Sequence, residues 1–199
     1  MSYRGPKAKL SRRLGIPLTA KCSAVMRNKP QPPGQHGNRR RFQQSEYSKQ
    51  LIEKQRLKFQ YNVTERKLRN YYTRAKRQAG NTSEALIVLL EHRLDCVIFR
   101  AGFAPTIFAA RQLVSHGHVE VGGRKVDIPS FHVAVGSTVS VREKSKKMAL
   151  IQDSLVTAES PVYMDSDNDT LTAVLSRPPI RDEIPIVCEL QQVVEFYSR

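Results

Sequence analysis

The spacing of apolar residues changes period partway along this chain, and that change limits the folds open to it. From Thr64 to Ala79, the residues Leu68, Tyr71, Tyr72, Ala75 and Ala79 recur at helical steps, which places them on one face of an α-helix. After His118 the pattern alternates: Val119-Glu120-Val121, then Gly122-Gly123, then Arg124-Lys125-Val126. That run predicts a β-hairpin on a two-residue turn, because both turn positions need a positive φ that glycine adopts freely. The two periods in succession predict an α+β fold.

Local signals bound the other elements. Thr64 is a candidate N-cap and Gly80 a candidate residue just past the helix end. Asn81 or Thr82 opens another helix, with Glu84 placed for a capping box on Asn81. Leu86, Leu89, Leu90, Leu94, Val97, Ile98 and Ala101 carry its apolar face to Gly102. Thr106 caps a short helix through Ala109, Ala110, Leu113 and Val114 that stops at Gly117. Short strands are expected at Val133–Val135 and Val139–Arg142, and a helix over Lys144–Leu155. Residues 158–170 read as a loop, and Ile184–Tyr197 holds two apolar runs suited to strands or a final buried turn. Residues 1–44 have little periodicity and are punctuated by proline and glycine, so they are expected to order only against a partner.

The partner class follows from charge. The chain of 199 residues carries a formal net charge of +15. Residues 1–80 hold 21 Lys and Arg against three acids; residues 81–155 hold nine against seven, and residues 156–199 three against eight. A cationic density of that kind over a third of a chain matches a polyphosphate. The helix from Thr64 has a core face and an opposite face with Arg66, Arg69, Thr73, Lys76 and Arg77, with Glu65 its one acid. A surface helix made soluble by charge would mix signs. A membrane-surface protein would favour a basic amphipathic helix with Trp, Phe and Leu, whereas this chain has no Trp and its basic residues alternate with Gly, Pro and Gln.

Other chemistries lack their residues. Cys22, Cys96 and Cys188 are far apart and odd in number, which fits a reducing compartment. Residues 1–13 are basic without an apolar stretch, so no secretory signal is visible, and the apolar run Ala85–Leu90 is too short to cross a membrane. Asp165, Asp167 and Asp169 imitate a calcium loop, but Thr170 and Ser176 stand where its glycine and glutamate belong. Cys22 with His36 falls two ligands short of a zinc site, and Cys96 reads as a small buried hydrophobe. His92, His116, His118 and His132 have no nucleophile or carboxylate at a telling spacing. No metal, no cofactor and no enzymatic activity are expected. An RNA-modifying enzyme would need a catalytic domain that the residues after 155 are too few to form.

Several stretches are familiar together. Tyr3-Arg4-Gly5-Pro6, Ser11-Arg12-Arg13, Pro32-Pro33-Gly34-Gln35-His36-Gly37, Glu53-Lys54-Gln55-Arg56 and Glu65-Arg66 with Arg69-Asn70-Tyr71-Tyr72 resemble the bacterial-type small-ribosomal-subunit protein S-four family. So do Arg93-Leu94-Asp95, Ala110-Arg111-Gln112-Leu113-Val114-Ser115-His116 and the closing Glu195-Phe196-Tyr197-Ser198-Arg199. They occur in that family's order. The resemblance implies a helical N-terminal domain with a basic extended arm, interrupted by an S-four-type RNA-binding domain of two helices and a small antiparallel sheet. The boundaries it suggests are 1–44 for the arm, 45–92 for the helical domain completed by 156–199, and 93–155 for the inserted domain.

The resemblance also implies a structural role in the small ribosomal subunit. It implies early binding to the 5′ region of small-subunit ribosomal RNA, a neighbouring protein S-five, and basic residues near the channel by which messenger RNA (mRNA) enters. The location it implies is a ribosome of the bacterial cytoplasm, or of a plastid or other organelle. With Cys22 the one cysteine near the start, the chain resembles the zinc-free members. Gly122-Gly123 stands at the customary Asn-Gly turn, Asn62 at a customary Gly and Ile52 at a usual Arg. Recognition in such a protein would be mainly of RNA shape, through phosphate and sugar contacts. The candidates for those contacts are Arg4, Lys9, Arg12, Arg13, Arg39, Arg40, Lys54, Arg56, Lys58, Arg66, Arg69, Arg111, Arg124 and Lys125. Gln35, His36, Tyr72, His116 and His118 are candidates for hydrogen bonding or stacking.

Overall fold

The computed structural model describes residues 3, 5–37, 45–156 and 160–199. Along them run α1 (Lys7–Leu14), α2 (Ala20–Asn28), α3 (Glu46–Gln60), α4 (Glu65–Lys76), α5 (Thr82–Glu91), α6 (Leu94–Arg100) and α7 (Ile107–Ser115). There follow β1 (Val119–Val121), β2 (Arg124–Lys125), β3 (Thr138–Val141), α8 (Ala149–Leu155), β4 (Met164–Asp167), β5 (Thr172–Leu175) and α9 (Leu190–Ser198). The fold is α+β. It divides into two compact units, residues 1–77 with 186–199, and residues 78–185.

The first unit is helical. Ser45 and Thr64 cap α3 and α4 by accepting from Ser48 N–H (3.3 Å) and Lys67 N–H (3.4 Å), caps each worth about 1 kcal/mol. Helix α9 packs along α3, and Leu57, Leu68, Ala75, Leu190 and Val193 form the buried interior. Residues 5–37 depart from the sequence expectation, since they hold α1 and α2 with Leu14, Ile16 and Cys22 buried. What orders them is tertiary. The Arg12 guanidinium donates to the carbonyls of Lys29 (3.0 Å) and Gln31 (2.9 Å), and Arg56 donates to that of Leu14 (2.9 Å).

The second unit joins α5, α6 and α7 to a five-stranded antiparallel sheet in the order β2-β1-β3-β5-β4. Gly122 and Gly123 have φ of 56° and 75°, as the hairpin turn requires. Val119, Val139, Val141, Ala173 and Leu175 are buried, so one face of β1, β3 and β5 faces the interior with Leu86, Leu90, Val97 and Ile98.

Four stretches differ from their expected form. The continuous helix from Asn81 to Ala101 breaks at Arg93, which is extended and bridges His132. Two N–H groups freed at the break find new acceptors: Leu94 N–H donates to Phe131 O (2.9 Å) and Asp95 N–H to Pro129 O (3.2 Å). Residues 133–135 consequently serve this loop and form no strand. The stretch read as a loop, 158–170, contains β4 in its described part, and the residues after it form β5; β5 pairs with β3 and β4 with β5. Residues 186–199 group with the helical unit, and the apolar runs read as strands or a final buried turn form helix α9 there.

Candidate nucleic-acid interface

Helix α4 sorts its residues by face. Leu68, Tyr72 and Ala75 are buried, while Arg66, Arg69, Arg74 and Lys76, with the following Arg77, are exposed. The inner face anchors the helix, so the guanidinium groups stand on a fixed support. Tyr72 belongs to that anchor: it stacks on Tyr197 with ring centroids 5.1 Å apart and is only 7% exposed. It is a packing residue, not a platform for a base.

Beneath the cations lies an inward-facing charge cluster. Glu65 accepts from Lys54 Nζ (3.0 Å), Lys58 Nζ (3.2 Å) and Tyr197 OH (2.8 Å). Burial would raise the Glu65 carboxyl, but the hydrogen bonds from Lys54 and Tyr197 and the Lys54 charge outweigh it and hold the group below its ordinary value. Burial and the bond to Glu65 push the Tyr197 phenol upward. Lys54 is 7% exposed on its side chain and lies 4.5 Å from the Phe196 ring centroid. Arg56 is held by Leu14 O and by Glu53 Oε1 at 2.6 Å. The structure thus buries Lys54 and ties half-buried Arg12, Arg56 and Lys58 to carbonyls and carboxylates of the protein itself.

Lys9 and Arg13 are exposed on α1, and Gln35 and His36 on the turn at 34–37. Gly37 has its own reason for lacking a side chain, because a Cβ there would collide with the Pro32 carbonyl. Arg4, Arg39 and Arg40 lie outside the described residues.

The second unit has a cationic rim of its own. Arg124 and Lys125 are exposed on β2, and His116 is exposed at the end of α7. His118 is half-buried, with Nδ1 2.9 Å from Ser145 Oγ. Burial, then His116, Lys144 and Arg142, lower its pKa, which keeps the ring neutral near pH 7. Arg111 lies 3.6 Å from buried Asp95, whose carboxylate also receives Arg93 at 3.0 and 2.6 Å. Half-buried Arg111 is thus a strut of this rim as well as a cation on it.

Several exposed cations were not singled out from spacing: Arg74, Lys144 and Lys147. Arg74 stands eight residues after Arg66, two helical turns on, a signal that was present in the sequence. Lys144 is recognisable only through its place beside His118, which the chain reaches by way of β3. Among the described residues, no cluster of three His, Cys, Asp or Glu side chains could hold a metal ion, and no helix is long and apolar enough to cross a membrane.

Comparison with known proteins accords with this geometry. Residues 2–91 match the family described as ribosomal protein S4/S9 N-terminal domain, and residues 92–139 match the S4 domain. The small ribosomal subunit protein uS4 of Micrococcus luteus is 48% identical over 195 residues, covering 95% of this chain and 94% of that protein. Its counterpart in Latilactobacillus sakei is 47% identical over 199 residues, covering 99% and 98%. That of Thermobifida fusca is 44% identical over 208 residues and covers both chains fully. Two cationic supports, a matching pair of domain families and full-length relatives lead to one assignment: the chain belongs to the uS4 family of small-ribosomal-subunit proteins, a structural and non-enzymatic family.

Proposed function

We propose that this protein binds the 5′ region of small-subunit ribosomal RNA early in assembly and fixes the geometry where RNA helices meet. The observation that carries the reading is that each compact unit presents its own cationic surface on a packed support. One is the outer face of α4 with Arg66, Arg69 and Arg74; the other is the rim of Arg124, Lys125 and His116. Two such surfaces on one chain suit RNA recognised by shape, since Lys and Arg reach phosphates of more than one helix and set their relative position. Lys9, Arg13, Gln35 and His36 add contacts of the same kind. The reading extends to Arg4, Arg39 and Arg40 by charge alone.

The names of the relatives support placing the chain in the small subunit of a bacterial-type ribosome, and hence in the cytoplasm. The family reading adds a neighbouring protein S-five and proximity to the channel that admits mRNA. The test is equilibrium binding of the full chain to a 5′-domain transcript, against transfer RNA, across a salt series. The expected result is a preference for the transcript that persists as salt rises. Equal and steeply salt-sensitive binding to both RNAs would reduce the protein to a general polycation and defeat the reading.

A further inference from the structure

We propose that the cleft between α7 and the start of α8 captures one unstacked base of the bound RNA. The cleft has a volume of about 90 Å³. Its apolar part is formed by Leu113, Met148 and Leu150, and its polar part by Gln112, His116 and His118. A drug-sized ligand calls for about 300–1,000 Å³, so this space suits a single flat ring. Leu150 is 40% exposed and His116 is exposed as well. An apolar floor with imidazole edges is therefore open on a surface where charge would predict only polar groups.

Charge selects the occupant. His118 lies within electrostatic reach of His116, Lys144 and Arg142. The neighbouring acids are already engaged, Glu120 with Arg142 at 3.1 Å and Glu143 with Lys146 at 2.5 Å. Lys144 and Lys147 are exposed at the same turn. The surroundings of the cleft thus favour a polyanion; a nucleic acid brings a flat ring attached to its charge, and the RNA-binding reading above makes that nucleic acid RNA. Single-stranded bases stack on side-chain rings and apolar surfaces while the backbone tracks the cations.

The histidine is arranged for reading a base edge. Nδ1 of His118 is engaged with Ser145 Oγ, which orients the ring and directs the remaining function to Nε2. Burial and the surrounding cations keep the ring neutral, so Nε2 can pair with a base as donor or acceptor according to the tautomer. Gln112 offers both a donor and an acceptor at the same opening.

This inference rests on the RNA-binding reading above, and the experiment separates the two. The full chain, its Leu150→Ala variant and its His116→Ala variant would each be titrated with small-subunit ribosomal RNA across a salt series, with chemical probing of base reactivity in each complex. Both side chains are exposed, and circular dichroism would check that the fold is kept. The expected result is a loss of affinity of roughly five- to tenfold. The salt slope should be unchanged, and one nucleotide should become reactive at its base edge. A Lys144→Ala control should instead lower the salt slope by about 0.7–0.9 with no single base exposed. Unchanged affinity and reactivity in the cleft variants, with tight binding by the parent chain, would overturn the base site alone. Unchanged RNA binding with loss of a cross-link to a neighbouring protein would overturn it too, in favour of a protein contact. Failure of the parent chain to prefer ribosomal RNA would defeat both readings.

Discussion

The Tyr197 hydroxyl donates to Glu65 at 2.8 Å, joining the last helix of the chain to the first turn of α4 across 132 residues of sequence. Through Glu65 the same contact reaches Lys54 and Lys58 on α3. One carboxylate therefore ties together three helices of the unit whose outer surface carries Arg66 and Arg69. In a chain whose lysines could all serve phosphate, two of them instead hold the support in place.

Replacing Glu65 by Gln should destabilise the helical unit by roughly 1–2 kcal/mol at neutral pH, discounted for the partial exposure of the carboxylate. The folded carboxyl lies below its ordinary value of 4.5, so the unfolded chain binds more protons as acid is added. The contribution of Glu65 is accordingly full above that ordinary value and is lost as pH falls through the lowered folded value. Thermal melts between pH 3 and 7 should show a shallower acid limb for Glu65→Gln than for the parent. Parallel limbs would show that the ion pairs contribute nothing measurable.

Glu91 holds the corresponding position in the second unit. It is 2% exposed and receives Arg100 at 3.1 and 2.8 Å, Tyr163 OH at 3.1 Å and Cys96 Sγ at 3.2 Å. Glu91→Gln should cost about 3–5 kcal/mol, because a buried guanidinium loses its countercharge. Urea denaturation would measure it. A loss under 1 kcal/mol would mean that water reaches Arg100.

Arg69→Ala and Arg124→Ala should each weaken binding to the 5′-domain transcript and lower the log–log salt slope by about 0.7–0.9, with melting temperature unchanged. Lys54→Ala should do the reverse. It should lower stability, since its ammonium is buried against Glu65 and the Phe196 ring, and leave the salt slope where it was. A salt slope that fell for Lys54→Ala and held for Arg69→Ala would reverse the assignment of inner and outer cations.

Gly122 has φ of 56° and open space where a Cβ would be, so substitution there tests backbone strain alone. Gly122→Val should cost about 1–2 kcal/mol. Gly122→Asn, which tolerates the left-handed region, should stay within about 0.5 kcal/mol of the parent. Chemical denaturation of the pair would settle it, with equal stabilities counting against the turn type.

Much of this architecture is legible where a signal is local. Thr64, Asn81 and Thr106 cap the helices they precede, and Gly122-Gly123 turns the hairpin. Each of these works within a few residues, through one side-chain oxygen or one φ angle. The cationic face of α4 is readable for the same reason, since helical period alone sets which residues share a side. Arg66 and Arg69 are exposed as the spacing predicts, whereas Arg12, Lys54 and Arg56 read identically as cations and bind carbonyls or carboxylates of the protein itself.

What the sequence determined by itself, then, is the order of periods, the caps, the turn and the imbalance of charge. Tertiary structure alone decided three things. The break at Arg93 depends on carbonyls of Pro129 and Phe131 that lie more than thirty residues ahead. The strands of 164–175 exist because β3 offers them an edge, and α9 forms because α3 offers its apolar residues a place to bury. In each case the deciding partner is distant along the chain, and a lysine's or a strand's role depends on which carboxylate, carbonyl or edge the folded chain brings within reach.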